Sequence, residues 1–418
     1  MDLLSLEVQG SMPTQTVSNS ADMPLEGLTV IDVGTTIAAP MAASFLGDFG
    51  AEVIKVELPG RGDPTREWAP KKDGVSLWWK VSGRNKKMIT LNLSKPEGQA
   101  LLKRIVRDTD IVIENFRPGT MERWNVGYED LVEVNPGIIM VRISGYGQDG
   151  PYSHRPGYGT IAEAMSGIPS FTGFPDKPPS LSAFPLADAI AALFGAMGAM
   201  FAVYHRDVKG TGEGQYIDTS LYSPLFRLVE SFVIAYDQLG IVKQRRGNRM
   251  EESSPRNAYQ TSDGEWVAIS ASSQRTFERL AHAIGRPDLP SDPMFADNPS
   301  RVSNDAQLDA IIGDWFRQFC LDDAMEILEQ SDVVAGPVYD IRRILQDPHY
   351  AAREEIVEVE DAELGTIRMQ NVTPKMSKTP GRVRFAGGQL GEHNHKVYGQ
   401  RLGLSAEEIA RLKEQGVI

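Results

Sequence analysis

The chain has 418 residues, enough for two domains that each bury their own core. It is 41% hydrophobic and 24% charged, and its formal charge of −13 argues against nucleic acid as a partner; an anionic ligand would need a local cluster of cations. One cysteine, Cys320, excludes an internal disulfide and a thiolate zinc site, and six scattered histidines without an HExxH or paired-cysteine pattern give no metal centre.

Residues 1–22 have no sustained period and many Ser, Thr and Gln, which reads as a flexible leader. No Lys or Arg precedes Lys55, so the basic start of a signal peptide is missing, and the expected location is cytoplasmic. "LTVIDVG" (Leu28 to Gly34) is a short β-branched run, the mark of a buried strand. Helical spacing follows in "APMAASFLGDFG", with Pro40 near the first turn and Gly50 at the stop; "AEVIKVE" (Ala51 to Glu57) is the next strand. This βαβ unit predicts an α/β fold with a parallel, doubly wound sheet. Ser94 is placed to cap, and Pro96 to open, the helix "PEGQALLKRIVRD", which leads into the strands "DIVIENF" (Asp110 to Phe116) and "GIIMVRIS" (Gly137 to Ser144). A Gly-, Pro- and Tyr-rich loop over 145–160 precedes a helix around Ile161 to Met165, then the apolar helix beginning at "FPLADAIAAL", then a strand in "GQYIDTSL".

The texture changes near Leu225. A basic stretch, "KQRRGNRMEESSPRN", leads into "DGEWVAISAS" and the helix "TFERLAHAIG". The expected organisation is a large domain over 23–224, a smaller α+β domain over 225–335, and a return to the first domain over 336–418. Cys320 lies in a helical pattern, "WFRQFC", and is expected in the core. Between Ala189 and Tyr204 there are 16 uncharged residues, fewer than the roughly 20 that span a bilayer, so no membrane is expected.

"GYGQDG" (Gly145 to Gly150) matches GxGxxG after a strand, but Pro151 and Pro156 follow where a dinucleotide site needs a helix. It reads as a loop. No Walker A sequence is present. Arg84, Lys86 and Lys87 cluster before a strand, and Arg117 and Arg123 lie just beyond one, where open α/β sheets bind ligands. Asp188 is the one charge between Phe184 and Tyr204. A helix cap would account for it without any function. A nucleophile at the same place would be kept ionised by the helix dipole, with free N–H groups nearby for an oxyanion.

The blocks "PLEGLTVIDVGTTIAAPMAASFLGDFGAEVIKVELPGRGDPTR", "LNLSKPEGQALLKR", "DIVIENFRPGTMERWNVGYEDL", "NPGIIMVRISGYGQDGPY", "FPLADAIAAL", "TGEGQYIDTSL" and the closing "LGEH" occur in a fixed order. Together they resemble the class III CoA-transferases, the CaiB/BaiF group, over about residues 23–418. The resemblance implies that Asp188 attacks an acyl-CoA thioester, giving an aspartyl anhydride and then an aspartyl-CoA thioester, with no permanently bound cofactor. It implies CoA contacts at Ile37, Ala38, Leu91, Asn92, Leu93, Ser94, Asn115, Phe116 and Arg123. It also implies a Rossmann-like large domain and an interlocked dimer of ring-shaped chains.

Some positions depart from that family's pattern. Leu58 stands where relatives carry Arg after "KVE", and "GYGT" (Gly157 to Thr160) lacks the usual carboxylate. Arg245, Arg246, Arg249 and Arg256 replace a glycine-rich run and, with Tyr158, are positioned to grip an acyl or distal carboxylate, which favours a dicarboxylic group such as succinyl. Two rival readings remain. A 2-methylacyl-CoA racemase of the same superfamily pairs its Asp with a His, where this chain has Tyr158, with His154 displaced in register. A subunit of a heteromeric enzyme would look similar.

Overall fold

The computed structural model describes residues 23–418; the leader expected over 1–22 lies outside the described residues. Six strands form one parallel sheet: β1 (Thr29–Asp32), β2 (Glu52–Glu57), β3 (Lys86–Thr90), β4 (Ile111–Glu114), β5 (Ile139–Ser144) and β6 (Tyr216–Ser220). Their spatial order is β3-β2-β1-β4-β5-β6. The central strands are apolar runs because helices cover both sheet faces.

Alternation along each strand feeds two cores. Val30, Val53, Ile111 and Ile139 pack against α1 (Ala38–Asp48), α3 (Gly159–Met165) and α4 (Leu186–Val203). Ile31, Ile54, Val112 and Met140 pack on the other face against α2 (Pro96–Val106). The register keeps these sets on opposite sides, pairing Val30 with Ile111 and Ile31 with Val112.

A second core lies in the three-stranded antiparallel sheet β7 (Arg256–Gln260), β8 (Trp266–Ser270) and β9 (Ala335–Pro337). Phe277, Leu308, Phe316 and Leu328 of α5 (Gln274–Ala283), α6 (Asp305–Phe316) and α7 (Leu321–Gln330) fill it. Cys320 is not a core residue: it sits half-buried at the N-cap of α7, where the chain has already left the helix before it. A hairpin of β10 (Ile356–Asp361) and β11 (Gly365–Gln370) follows. Helix α8 (Ala406–Glu414), opened by a Ser405–Glu408 capping box, then brings Ile409, Leu412, Val417 and Ile418 into the β1–β4 core.

Together with the wide turn that follows it, α4 runs to Val208, 23 residues, and its most apolar stretch has a mean hydropathy of 1.9, so length and composition alone would let it cross a membrane. Its packing explains its character: Ala187, Ala191, Ala192 and Ala199 are closely packed on the sheet and α1. Leu193, Met197 and Phe201 form an exposed stripe on the opposite side.

The closing "GEHN" blunts the open edge of the sheet. His393 N–H donates to the Met88 carbonyl at 2.8 Å, and Met88 N–H donates to His393 Nδ1 at 3.1 Å. Thr90 N–H donates to Asn394 Oδ1 at 2.9 Å, while the Tyr398 hydroxyl donates to the Thr90 carbonyl at 2.7 Å. Unpaired edge groups invite strand addition, and these side chains occupy them. Replacing Asn394 with Ala should lower the unfolding free energy by about 1–3 kcal/mol, because a buried N–H loses its acceptor. Burial, with the charges of Lys396 and Lys87, holds the His393 pKa below its usual value. The unfolded chain therefore takes up that proton first, so this contribution is intact above about pH 6.5 and is lost as pH falls. Denaturant unfolding of His393→Ala should show a gap from the parent that closes on acidification.

Candidate active site

The winding of the sheet reverses between β1 and β4, which leaves a crevice at the carboxyl ends of the strands. A cavity of 390 Å³ occupies it, lined by Val33, Val56, Leu58, Arg61, Asp63, Leu91, Asn92, Leu93, Ser94, Phe116 and Trp124. Phe116 and Trp124 meet edge to face at 5.2 Å and form one wall. Phe116 N–H donates to Glu114 Oε2 at 2.7 Å; burial pushes Glu114 up to about 7 although Arg142 pairs with it at 2.9 Å.

Ser94 does not cap α2. Its N–H and hydroxyl both donate to Asn92 Oδ1, at 3.0 and 2.6 Å, and Lys95 precedes the helix without a side-chain cap. The turn from Leu91 to Ser94 is anchored from the far end of the chain, where the Val417 carbonyl accepts from Asn92 N–H at 2.7 Å.

The loop from β1 to α1 is held by charges that sequence reading missed. Lys55 bridges Asp32 at 3.4 Å and Asp63 at 3.3 Å, and Lys86 reaches Asp32 at 3.0 Å, all of these side chains at most 1% exposed. Lys86 also donates to the Pro40 carbonyl in the first turn of α1, at 2.6 Å. Burial works against the Asp63 charge, but Lys55 and hydrogen bonds from Thr65 and Thr36 hold its pKa below the usual value. Thr36 adopts a left-handed φ of 71°, uncommon for a β-branched residue, with its N–H donated to Asp63 Oδ2 at 3.1 Å. Asn115 clasps the neighbouring Thr35 through its N–H and carbonyl, each at 2.8 Å.

The expected ligand contacts therefore divide. Leu91, Asn92, Leu93, Ser94 and Phe116 line the cavity. Ile37 is the residue before α1 and Ala38 its first, buried residue, and Asn115 supports the loop that carries them. Arg123 is exposed, donates to Thr120 Oγ1 at 2.9 Å and does not line the cavity. Arg61 does line it, exposed and, among the described residues, without an ion pair or a side-chain hydrogen bond, three residues after Leu58. The flanking glycines of "PGRGD" were the available signal.

Asp188 lies in the first turn of α4, a crossover helix that starts at this same edge of the sheet. It is not a cap. Pro185 occupies the N-cap position, no side chain caps the helix, and Asp188 has no ion pair among the described residues. Burial pushes its pKa up to about 6, opposed only by its own backbone N–H. A Cβ on Gly159 would overlap Asp188 Oδ2, so the carboxylate lies directly against the start of α3.

Tyr158 precedes Gly159 with its ring 77% exposed, and His154 is exposed on the same loop. The arginine-rich stretch touches the segment after α3: Gly247 N–H donates to the Gly173 carbonyl at 2.8 Å. Arg246 pairs with Asp305 at 2.5 Å, and Arg249 with Asp309 at 2.6 Å and Asp305 at 3.3 Å. Arg256 donates to the Asn248 carbonyl at 2.6 Å and Arg245 to the Ser170 carbonyl at 3.4 Å; neither has a carboxylate partner among the described residues.

Residues 25–394 match the model of CoA-transferase family III. This chain belongs to that family. It is 44% identical over 396 residues to the succinyl-CoA–D-citramalate CoA-transferase of Chloroflexus aurantiacus, covering 94% of this chain and 98% of the relative. It is 41% identical over 400 residues to the beta subunit of succinyl-CoA–L-malate CoA-transferase from the same organism, covering 95% and 98%. A crystal structure of a CaiB/BaiF family protein from Brucella suis superposes with a TM-score of 0.82 at 30% identity, covering 91% of this chain and 99% of that one.

In this transferase the Asp188 charge is a cost to folding. The folded carboxyl holds its proton more tightly than the unfolded one, so the cost is fully present above about pH 6 and fades as pH falls toward 3.8. Asp188→Asn should therefore raise the unfolding free energy at pH 7.5 by up to roughly 2–3 kcal/mol. Unfolding curves at pH 7.5 and pH 4 check this: the advantage should be largest at the higher pH and nearly gone at the lower.

Proposed function

We propose that this chain moves CoA from succinyl-CoA to a small dicarboxylic acid, with Asp188 as the covalent nucleophile. The observation that carries the reading is a desolvated carboxylate with neither cap nor ion-pair partner at the ligand-binding edge of the sheet. An Asp carboxylate oxygen forms a bond to the thioester carbonyl carbon, the C–S bond breaks, and CoA leaves as thiolate. That thiolate then attacks the aspartyl carbonyl of the anhydride, releasing succinate and leaving an aspartyl-CoA thioester. The acceptor carboxylate attacks this thioester, and the freed thiolate takes the acceptor's acyl group, restoring Asp188. The overall exchange is nearly isoenergetic because one thioester is traded for another, and covalent catalysis divides one difficult exchange into easier ones.

In this reading the cavity takes the nucleotide end of CoA, between the apolar wall of Phe116 and Trp124 and the turn Leu91–Ser94, with Arg61 as countercharge. Ile37 and Ala38 contribute from the β1–α1 junction, and Asn115 from the end of β4. Arg256 and Arg245 are the cations placed to meet the distal carboxylate; Arg249 would have to leave Asp305 and Asp309 to do so. The succinyl donor, and citramalate or malate as acceptor, are suggested by the named relatives. The working form is proposed to be a cytoplasmic interlocked dimer, a reading supported by the exposed stripe Leu193, Met197 and Phe201.

Racemisation needs a second base across the substrate's α-carbon from the carboxylate; the loop next to Asp188 offers the phenol Tyr158 there, and His154 is exposed four residues earlier. The purified chain alone, given succinyl-CoA and a panel of dicarboxylates, should form the new CoA thioester. Asp188→Ala should lose transfer by at least about 10³-fold while retaining CoA binding. Transfer that appears only when a paralogous chain is added would replace this reading with a heteromeric one.

A further inference from the structure

β4 and β5 lie side by side with Glu114 opposite Arg142, close to the carboxyl edge of the sheet. Both side chains are buried. The Arg142 guanidinium spends two of its nitrogens on carboxylates from different elements. Its Nε donates to Glu114 Oε1 at 2.9 Å, and its Nη2 lies 2.8 Å from Glu122 Oε1 in the short helix Thr120–Arg123. Glu114 turns its other oxygen to Phe116, accepting that residue's N–H at 2.7 Å. Trp124 caps the end of the short helix. The two rings that wall the cavity thus stand on separate elements, parted by Pro118 and the left-handed Gly119 (φ 80°), and one guanidinium is tied to both. Met121 anchors the helix in the core, and the Glu122 leg sets its rotation about that anchor.

We propose that Arg142 is a positioning residue for CoA binding: by bridging Glu114 and Glu122 it holds the Phe116 and Trp124 rings as a preformed wall for the nucleotide. The inference rests on the reading of that cavity as the CoA site. A guanidinium suits the task because its donors are fixed in one planar fork, whereas a lysine ammonium is a point charge on a flexible stem. Without the bridge, binding itself has to order the freed ring, which costs about 3- to 10-fold in affinity for each side chain.

Arg142→Met strands Glu114 in the core and tests folding rather than the site. Glu122, exposed at the far end of the bridge, is the better position to change. Glu122→Ala should raise the dissociation constant of CoA, read by calorimetry, by about 3- to 10-fold. The sign of the effect discriminates. CoA is an anion, so removing a nearby carboxylate for its charge alone would tighten binding. Glu129→Ala serves as the charge control: Glu129 is exposed and has no ion pair among the described residues, and its loss should leave CoA bound at least as tightly as in the parent. With succinyl-CoA as donor, Glu122→Ala should raise KM while kcat stays within about twofold of the parent, because Asp188 stands on α4, outside the bridge. Arg142→Lys should weaken CoA binding in the same direction; if it fails to fold, Glu122→Ala decides alone. Unchanged or tighter CoA binding by Glu122→Ala, or a fall in kcat with KM unmoved, overturns the proposal. A parent chain that binds no CoA would instead overturn the reading of the cavity on which it rests.

Discussion

The desolvation of one carboxylate organises this molecule. Asp188 lies in the first turn of a helix beside alanine and glycine, half-buried and without an ion-pair partner among the described residues, and burial raises its pKa to about 6. A surface carboxylate at the same place would be stable and chemically dull. Here the fold bears an unfavourable charge at neutral pH, and such a charge is more basic and more reactive toward a thioester than a solvated one.

Rigidity at that edge comes from buried ion pairs rather than from apolar packing alone. Asp32, Asp63, Lys55 and Lys86 form a neutral, enclosed set in which each charge touches an opposite one. Removing one partner would strand another in a medium that solvates it poorly. The set fixes the loop between β1 and α1 in a conformation that includes a left-handed threonine, and the same Asp63 lines the cavity. The carboxyl end of the chain performs a similar service for the turn at Asn92, by accepting its N–H. Segments at opposite ends of the sequence thus meet at one crevice.

How much of this is legible in the sequence follows from the range of the forces. The strand–helix alternation from Leu28 to Ser144 can be read because each strand is a short run rich in β-branched and apolar residues and each helix has its own period. Asp188 stands out for the same reason, as one charge in an apolar stretch. The ion-pair set is invisible, since Asp32 and Lys86 are 54 residues apart; in the sequence Lys86 reads as part of a basic cluster with Arg84 and Lys87, yet its charge is buried against Asp32. Ser94 misleads because a cap and a turn use the same side-chain chemistry, and here Asn92 wins the hydroxyl. Cys320 misleads by one residue: the helical pattern continues across a helix boundary. The resemblance to class III CoA-transferases, carried by seven ordered blocks, named Leu91, Asn92, Leu93, Ser94 and Phe116, which line the cavity, but it did not foresee Arg61 lining it or the close contact of Gly159 with the Asp188 carboxylate.

The central claim is that the Asp188 side chain carries the acyl or CoA group during the exchange. Hydroxylamine added to the protein during turnover with succinyl-CoA, followed by peptide mass spectrometry, interrogates that bond directly. The account predicts a hydroxamate on Asp188 that is absent when the thioester is omitted. A hydroxamate on another residue, or none while transfer proceeds, would contradict it.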